Sequence, residues 1–360
     1  MRWRLPVLWA VLVGAGELGG CSFGADIRLG GAAPTTGGHS PADGGGVSLG
    51  GEAASQNETG GSASGGRSSG GTHVGGAVSS GGAIEASGGL GGAGPSFTVT
   101  VSNIRPLVEI NAEQKDDNPT LTDDELLVCF TSKRPTETGG TDVWCSERSS
   151  TSEPFGEPRE QSSLNTPGFE SSPSLGADGL SIWIASDVDG DMDILVAFRS
   201  DRGSDWGPLQ PVAELNSTAD DLPRPLARGG RLMPLSSRRD HSQYWTYLAE
   251  RPSLEEPFGE PRLIEELAEE GRSFVDGFLL EDGLTLFFTM VEEGGKGDLY
   301  VARRESLDAP FSEPEEVRGA NTDSEERDPF VSADGMRLYF SSDRDGELDL
   351  FVADLEIVGG

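Results

Sequence analysis

Residues 326–354 read ERDPFVSADGMRLYFSSDRDGELDLFVAD, and this stretch decides the fold. It breaks into a short apolar strand (329–332), a turn at Asp334-Gly335, a second strand (337–341), a polar turn (343–347) and a third strand (349–353). An Asp-Gly pair supplies the positive φ angles of a tight hairpin, and the flanking Phe, Tyr, Leu and Val residues suit a pleated, buried backbone.

The same unit recurs upstream. Alignment on the proline of the first strand gives Pro119, Pro173, Pro225 and Pro329, with Gly277 in the fourth copy, at spacings of 54, 52, 52 and 52 residues. Each copy continues through a turn (Asp123-Asp124, Asp178-Gly179, Gly229-Gly230, Asp282-Gly283, Asp334-Gly335) into an apolar second strand. The third strand begins at Asp142, Asp193, Gln243, Asp298 and Asp349. A Pro/Trp/Gly-rich link such as Pro154-Phe155-Gly156-Glu157-Pro158 then leads to a fourth strand closing on Leu164-Asn165, Leu215-Asn216 or Ala320-Asn321.

Four short antiparallel strands per unit of about 50 residues is the signature of a β-propeller blade. The predicted fold is therefore all-β, with five blades near 112–165, 166–216, 217–268, 269–321 and 322–358. A sixth, built from 97–114, is an alternative with little material. The last unit lacks a fourth strand. Residues 104–111, ending in Ile110-Asn111, are expected to supply it and so close the ring without a free sheet edge.

These residues resemble the WD-repeat-like propeller repeats of the TolB type. The last unit matches their pattern at Pro329, Ser332, Asp334, Gly335, Arg344, Gly346, Asp349, Leu350 and Phe351, and the resemblance covers 97–360. It implies a fold family more than an activity. TolB itself adds an N-terminal α/β domain, for which 22–96 offer no material, and has six blades, so its role in an envelope-spanning complex does not transfer.

The first residues set an expected location. Arg2 and Arg4 precede the apolar run 5–15, and Leu18-Gly19-Gly20-Cys21 follows. This reads as a signal peptide over 1–20, and its end resembles a bacterial lipobox, which implies lipidation of Cys21. Ser22 in place of Asp implies the outer membrane, facing either the periplasm or the outside. Acyl chains contribute about 0.8 kcal/mol per buried methylene, so several make a lasting anchor. An ordinary secretory signal with an incidental cysteine is the other reading.

Residues 21–96 read as a tether. Between 30 and 95, 24 of 66 residues are glycine and none is aromatic, which is too little apolar surface to offset ordering entropy. A flexible chain of that length spans about 45 Å.

Charge excludes one class of partner. The chain carries 27 basic and 61 acidic residues, a formal charge of −34. Phosphate backbones are bound through Lys and Arg that release counterions, so nucleic acid is not an expected partner.

Several constellations remain. Cys129 and Cys145 lie on the second and third strands of the first blade, and pairing Ser132 with Asp142 sets them opposite one another. That permits a disulfide in an exported protein; two small buried residues are the alternative. Asp187, Asp189, Asp191 and Asp193 form an alternating acidic run that suits calcium by ligand type but lacks the EF-hand order, and a solvated turn is the plainer reading. Asp117, Glu170, Asp221, Asp276 and Asp328 precede the inner strands and are expected to form a rim at one channel mouth, for binding or for solubility. The inner strands themselves are read as TLT, SLG, LAR, FLL and FVS, without carboxylates.

His241 is the single histidine after residue 96, so no Ser-His-Asp set or histidine zinc site can be assembled there. The expected function is that of a monomeric, non-catalytic envelope lipoprotein that binds a protein or a glycan. The alternative is a polysaccharide hydrolase using carboxylates in the channel mouth.

Overall fold

The computed structural model describes residues 97–136 and 139–359, so the expected signal peptide, Cys21 and the glycine-rich tract lie outside the described residues. Five four-stranded antiparallel sheets make up the fold. Blade one is β2 (Asp116–Leu121), β3 (Leu127–Ser132), β4 (Asp142–Glu147) and β5 (Arg159–Glu160). Blade two is β6 (Glu170–Leu175), β7 (Ser181–Ser186), β8 (Asp193–Phe198) and β9 (Gln210–Pro211). Blade three is β10 (Asp221–Pro223), β11 (Leu232–Ser237), β12 (Trp245–Glu250) and β13 (Arg262–Leu263). Blade four is β14 (Arg272–Leu279), β15 (Thr285–Glu292), β16 (Gly297–Arg303) and β17 (Glu315–Glu316). Blade five takes β18 (Glu326–Val331), β19 (Arg337–Ser342) and β20 (Asp349–Val358), and its outer strand is β1 (Thr98–Pro106). A 3-10 turn at Glu265–Leu267 is the one helical element among the described residues.

The middle strands are apolar without alternation because each blade is covered on both faces by its neighbours. In β3 all six residues are buried. One core cluster joins Val128 and Phe130 of blade one, Phe340 and Phe351 of blade five, and Phe287 and Val301 of blade four. Burying such a side chain contributes about 1.5–3 kcal/mol, so the blades are held by packing against each other.

The closing strand starts earlier than the sequence suggests. It is Thr98–Pro106, paired from Thr98 opposite Val358 to Pro106 opposite Phe351, and it overlaps the expected 104–111 only at 104–106. Residues 107–111 form a turn instead, with the N–H groups of Ile110 and Asn111 both donating to the Leu107 carbonyl. The physical reason is the asparagine. Asn111 Oδ1 accepts the N–H of Leu350 at 3.0 Å and its Nδ2 donates to the Leu350 carbonyl at 3.0 Å, so the side chain completes the edge of the third strand. Asn165, Asn216 and Asn321 do the same for Val143, Ile194 and Leu299. The Leu-Asn pairs are therefore caps rather than strand ends.

The outer edge of β1 is sealed in turn. Val101 N–H donates to the Arg318 carbonyl and Arg318 N–H to the Val99 carbonyl, tying the strand to blade four. A Cβ on Gly319, at φ +84, would fall 2.8 Å from the Val101 carbonyl oxygen, so the strand can approach only because that residue is glycine.

A second repeated device explains the Pro-Phe-Gly-Glu-Pro links. Arg148, Arg199, Arg251 and Arg304 lie 4.3, 4.1, 4.5 and 4.7 Å from the rings of Phe155, Trp206, Phe258 and Phe311. Each donates its Nε to a carbonyl of the first hairpin turn, at Glu125, Gly179, Gly230 and Gly283. The buried aromatic fixes the arginine, and the arginine fixes the turn.

Blade one departs from the pattern at that turn. Asp124 occupies the place of Asp178 and Asp334, accepting the N–H two residues on, so the hairpin pair is Asp124-Glu125 and not Asp123-Asp124. Glu125 sits at φ 54, where other blades use glycine.

Candidate functional site at the ring axis

The inner strands carry carboxylates after all. They begin several residues before the proline, at Asp116, Glu170, Asp221, Arg272 and Glu326. The strands β2, β6, β14 and β18 each bulge near the middle, and the bulge places a non-glycine residue in the left-handed region: Asn118 (φ 55), Ser172 (φ 52), Asp276 (φ 59) and Asp328 (φ 54). Left-handed backbone is uncommon for such residues, and it clusters where the surrounding structure overdetermines it. Blade three departs from this: Arg224 holds the matching position without a positive φ, and the inner strand is only three residues long.

These departures converge on the axis. Asn118, Pro119, Pro173, Arg224, Pro225, Asp276, Asp328 and Pro329, drawn from all five blades, line a cavity of about 10 Å³, enough for about one water molecule. Arg224 crosses it. Its Nη1 donates to Asn118 Oδ1 at 2.7 Å and to Asp328 Oδ1 at 3.4 Å, and its Nη2 donates to Asp276 Oδ1. Asp328 Oδ2 also accepts from Ser341 Oγ at 3.1 Å and from the Asn118 N–H at 3.3 Å. Arg327 reaches Asp276 Oδ2 from the other side at 3.4 Å, and Lys115 Nζ lies 2.5 Å from Asp117. Arg224 is 7 % exposed, and its buried Nε has no partner among the described residues.

The electrostatics of the two aspartates diverge. Burial works to raise Asp276, but the guanidinium groups of Arg224 and Arg327 outweigh it and hold the carboxyl below its ordinary range. Asp328 is pushed up to about 7, first by burial and then by the charges of Asp276 and Asp117. One carboxyl thus stays ionised while its neighbour takes a proton near neutrality, the pattern of an acid–base pair. The guanidinium between them also makes it the pattern of a closed, internally neutralised core.

The five acids expected at the rim fall into two sets, and all five are buried. Asp276 and Asp328 meet at Arg224, with Asp117 close enough to act on Asp328. Glu170 and Asp221 lie elsewhere, at the starts of β6 and β10, and hold loops. Glu170 accepts from the Thr166 N–H and hydroxyl and from Ser186 Oγ, while Asp221 accepts from the Ser217 N–H and from Arg239. They point into the protein because buried donors, not water, satisfy them.

Asp187, Asp189, Asp191 and Asp193 do not converge. Asp187 accepts the Phe169 N–H at 2.7 Å, Asp189 and Asp191 are exposed, and Asp193 heads β8. No group of three or more potential metal ligands is gathered among the described residues. Cys129 and Cys145 are directly opposite in register and joined, with Sγ–Sγ 1.98 Å and Cα–Cα 4.0 Å. His241 packs against Trp245 with ring centroids 3.6 Å apart and the planes tilted by 37°, away from the axis residues.

Arg224 is not singled out by the sequence reading, which starts the inner strands at or after the aligned proline, whereas they begin three to five residues before that position. The signal is there, since Asn118, Ser172, Arg224, Asp276 and Asp328 each precede the aligned proline or glycine. Four are acidic or neutral, and one is basic.

No protein-family model matches the chain, and no curated protein matches it. Solved structures do. TolB from Acinetobacter baumannii is 14 % identical over 69 % of this chain and 57 % of its own, with a TM-score of 0.44, so the chain spans little more than half the length of that protein. A Dyadobacter fermentans protein of unknown function is 14 % identical over 72 % of this chain and 99 % of its own, with a TM-score of 0.48. A thermostable family-43 glycoside hydrolase is 11 % identical over 69 % and 91 %, also at 0.48. The likenesses concern architecture alone, and the five-bladed propeller rests on the sheet topology above.

Proposed function

We propose that the chain is a non-catalytic binding propeller, held on the cell envelope by a lipid on Cys21 and a glycine-rich tether, and that its partner is an envelope protein or a glycan. One observation supports the non-catalytic part. Arg224 fills the axial channel and takes up Asp276 and Asp328, leaving about 10 Å³. Ligand pockets measure some hundreds of Å³, so a cavity this small supports a closed core over a site that admits a sugar. The location rests on the sequence at 2–21 and the tract that follows.

The second reading, a carboxylate hydrolase, is favoured by the raised Asp328 beside an ionised Asp276. Incubating the mature protein with a panel of envelope and plant-type polysaccharides, and measuring both binding and release of reducing ends, separates the two. Binding without release of reducing ends is expected, or, for a protein partner, neither of these, together with recovery of one envelope protein by crosslinking in cells. Turnover that vanishes in Asp276→Ala would overturn the proposal. For the anchor, Cys21→Ser is expected to move the protein from the membrane to the soluble fraction, and retention in the membrane would refute lipidation.

A further inference from the structure

Four of the five blade junctions bring two acids together. One is the inner-strand residue that pairs with the end of the second strand: Asp116, Glu170, Asp221 and Glu326, opposite Ser132, Ser186, Ser237 and Ser342. The other is the third-strand residue that pairs with the same end in the preceding blade: Asp349, Asp142, Asp193 and Asp298. Backbone bonds place three of these pairs side by side. The N–H of Asp116 donates to the Leu348 carbonyl at 2.8 Å, that of Glu170 to Thr141 at 2.8 Å and that of Asp221 to Met192 at 2.7 Å, in each case the residue just before the partner acid.

The junction of blades three and four breaks the pattern at both positions at once. The register there holds Trp245 opposite Ser237 and Phe274 opposite Met290. Where one acid is replaced, so is the other. The two positions thus behave as a unit within a single chain, either both carboxyl or both apolar. That is what an interaction between them requires, and it is not what two independent solvated acids would show.

The closing junction is the most constrained. Asp116 is fully buried; its Oδ2 accepts the Ala112 N–H at 2.7 Å and an Arg134 Nη2 at 3.1 Å, while its Oδ1 has no partner among the described residues. Asp349 Oδ1 is likewise buried and unpartnered. The charged groups acting on the pair are Arg134 from the loop after β3, Asp117 on β2, and Asp345 and Glu347 in the turn before β20. One guanidinium, with the Ser132 hydroxyl beside Asp116, faces several carboxylates, so the pair carries surplus negative charge.

We propose that Asp116 and Asp349 share one proton between their two Oδ1 oxygens, so that the closing junction is a latch tightened by mild acid and loosened as that proton leaves. The proton comes from solvent on closure and returns to it on opening, as a carboxyl–carboxylate hydrogen bond forms and breaks. Burial, and then the charge of Asp116, push Asp349 up to about 6, and Asp116 is raised as well. Free aspartate titrates near 3.9, so the folded ring binds the proton more tightly than the unfolded chain. Stability from this pair is therefore greatest below about 4, declines as pH rises towards about 6, and is flat above.

Thermal unfolding of the full chain at pH 4.5 and 7.5, with and without Asp349→Asn, tests this. The amide supplies a permanent hydrogen to Asp116, so the variant is expected to raise Tm at pH 7.5 by about 2–4 °C and to give no gain at pH 4.5. A Tm lowered at pH 7.5, or changed equally at both pH values, overturns the proposal. Should the variant not fold, carboxyl carbon shifts of isotopically labelled wild-type protein decide. A midpoint for Asp349 near 6 supports the shared proton, and one at or below 4 refutes it.

Discussion

Arg224 on blade three and Asp276 on blade four are joined by a hydrogen bond inside the axial channel, although 52 residues separate them. Arg224 is the counter-charge shared by the two buried aspartates, and Arg327 adds a second ion pair to Asp276. Breaking a buried pair by removing one partner costs about 3–5 kcal/mol, because the other charge is left desolvated. Arg224→Met is therefore expected to lower unfolding stability by about that amount. The double variant with Asp276→Asn should recover part of the loss, which a denaturant titration of the two proteins measures.

Asp328 should make the ring sensitive to neutral pH. Its folded value near 7 lies above the unfolded value of about 3.9. Its contribution is present in full below about 4 and is lost as pH rises towards 7. Replacing it with Asn, which carries no charge, should flatten the stability profile between pH 5 and 8. An unchanged slope in urea titrations across that range would show that another group is responsible.

Glu125 joins blade one to blade five across the closure. It accepts from Arg337 Nε at 2.7 Å and from Tyr339 Oη at 2.5 Å, with Arg148 Nη2 at 3.6 Å. Burial and the Glu125 charge push the Tyr339 phenol up to about 12. Glycine at this position would relieve the left-handed backbone, a gain of about 1 kcal/mol, yet it removes the buried carboxylate that Arg337, Arg148 and the Tyr339 hydroxyl share, at about 3–5 kcal/mol. Glu125→Gly is thus expected to destabilise by about 2–4 kcal/mol in spite of the turn it improves. A higher Tm in the variant would show that strain outweighs the ion pairs.

The Cys129–Cys145 bond closes a segment of 16 residues between adjacent strands. Loop-closure entropy assigns a loop of that size about 3 kcal/mol. Cys129→Ala with Cys145→Ala should lower stability by at most this amount, since the pairing of β3 with β4 already restrains the ends. Mass spectrometry after alkylation checks the bond, and chemical unfolding checks its contribution.

Much of the fold could be read from residue order because the interactions that make a blade are local and repeated five times. Asp334-Gly335, the apolar second strand and Asp349 recur at nearly constant spacing, and each does its work within some 25 residues. Even the facing of Cys129 and Cys145 follows from a hairpin register. The boundary of β1 was less legible, because Asn111 acts on Leu350, which is 239 residues away.

The axis site shows the same division. Residue order alone specified the number of blades, their turns and the excess of acids before each inner strand. Which of those acids meet was settled by closing the ring. Closure brings Asn118, Arg224, Asp276 and Asp328 from four blades onto one axis, whereas Glu170 and Asp221 turn aside into their own loops. The reason is physical: burial and a shared guanidinium are properties of residues gathered from distant parts of the chain, and no local pattern encodes the distance between them.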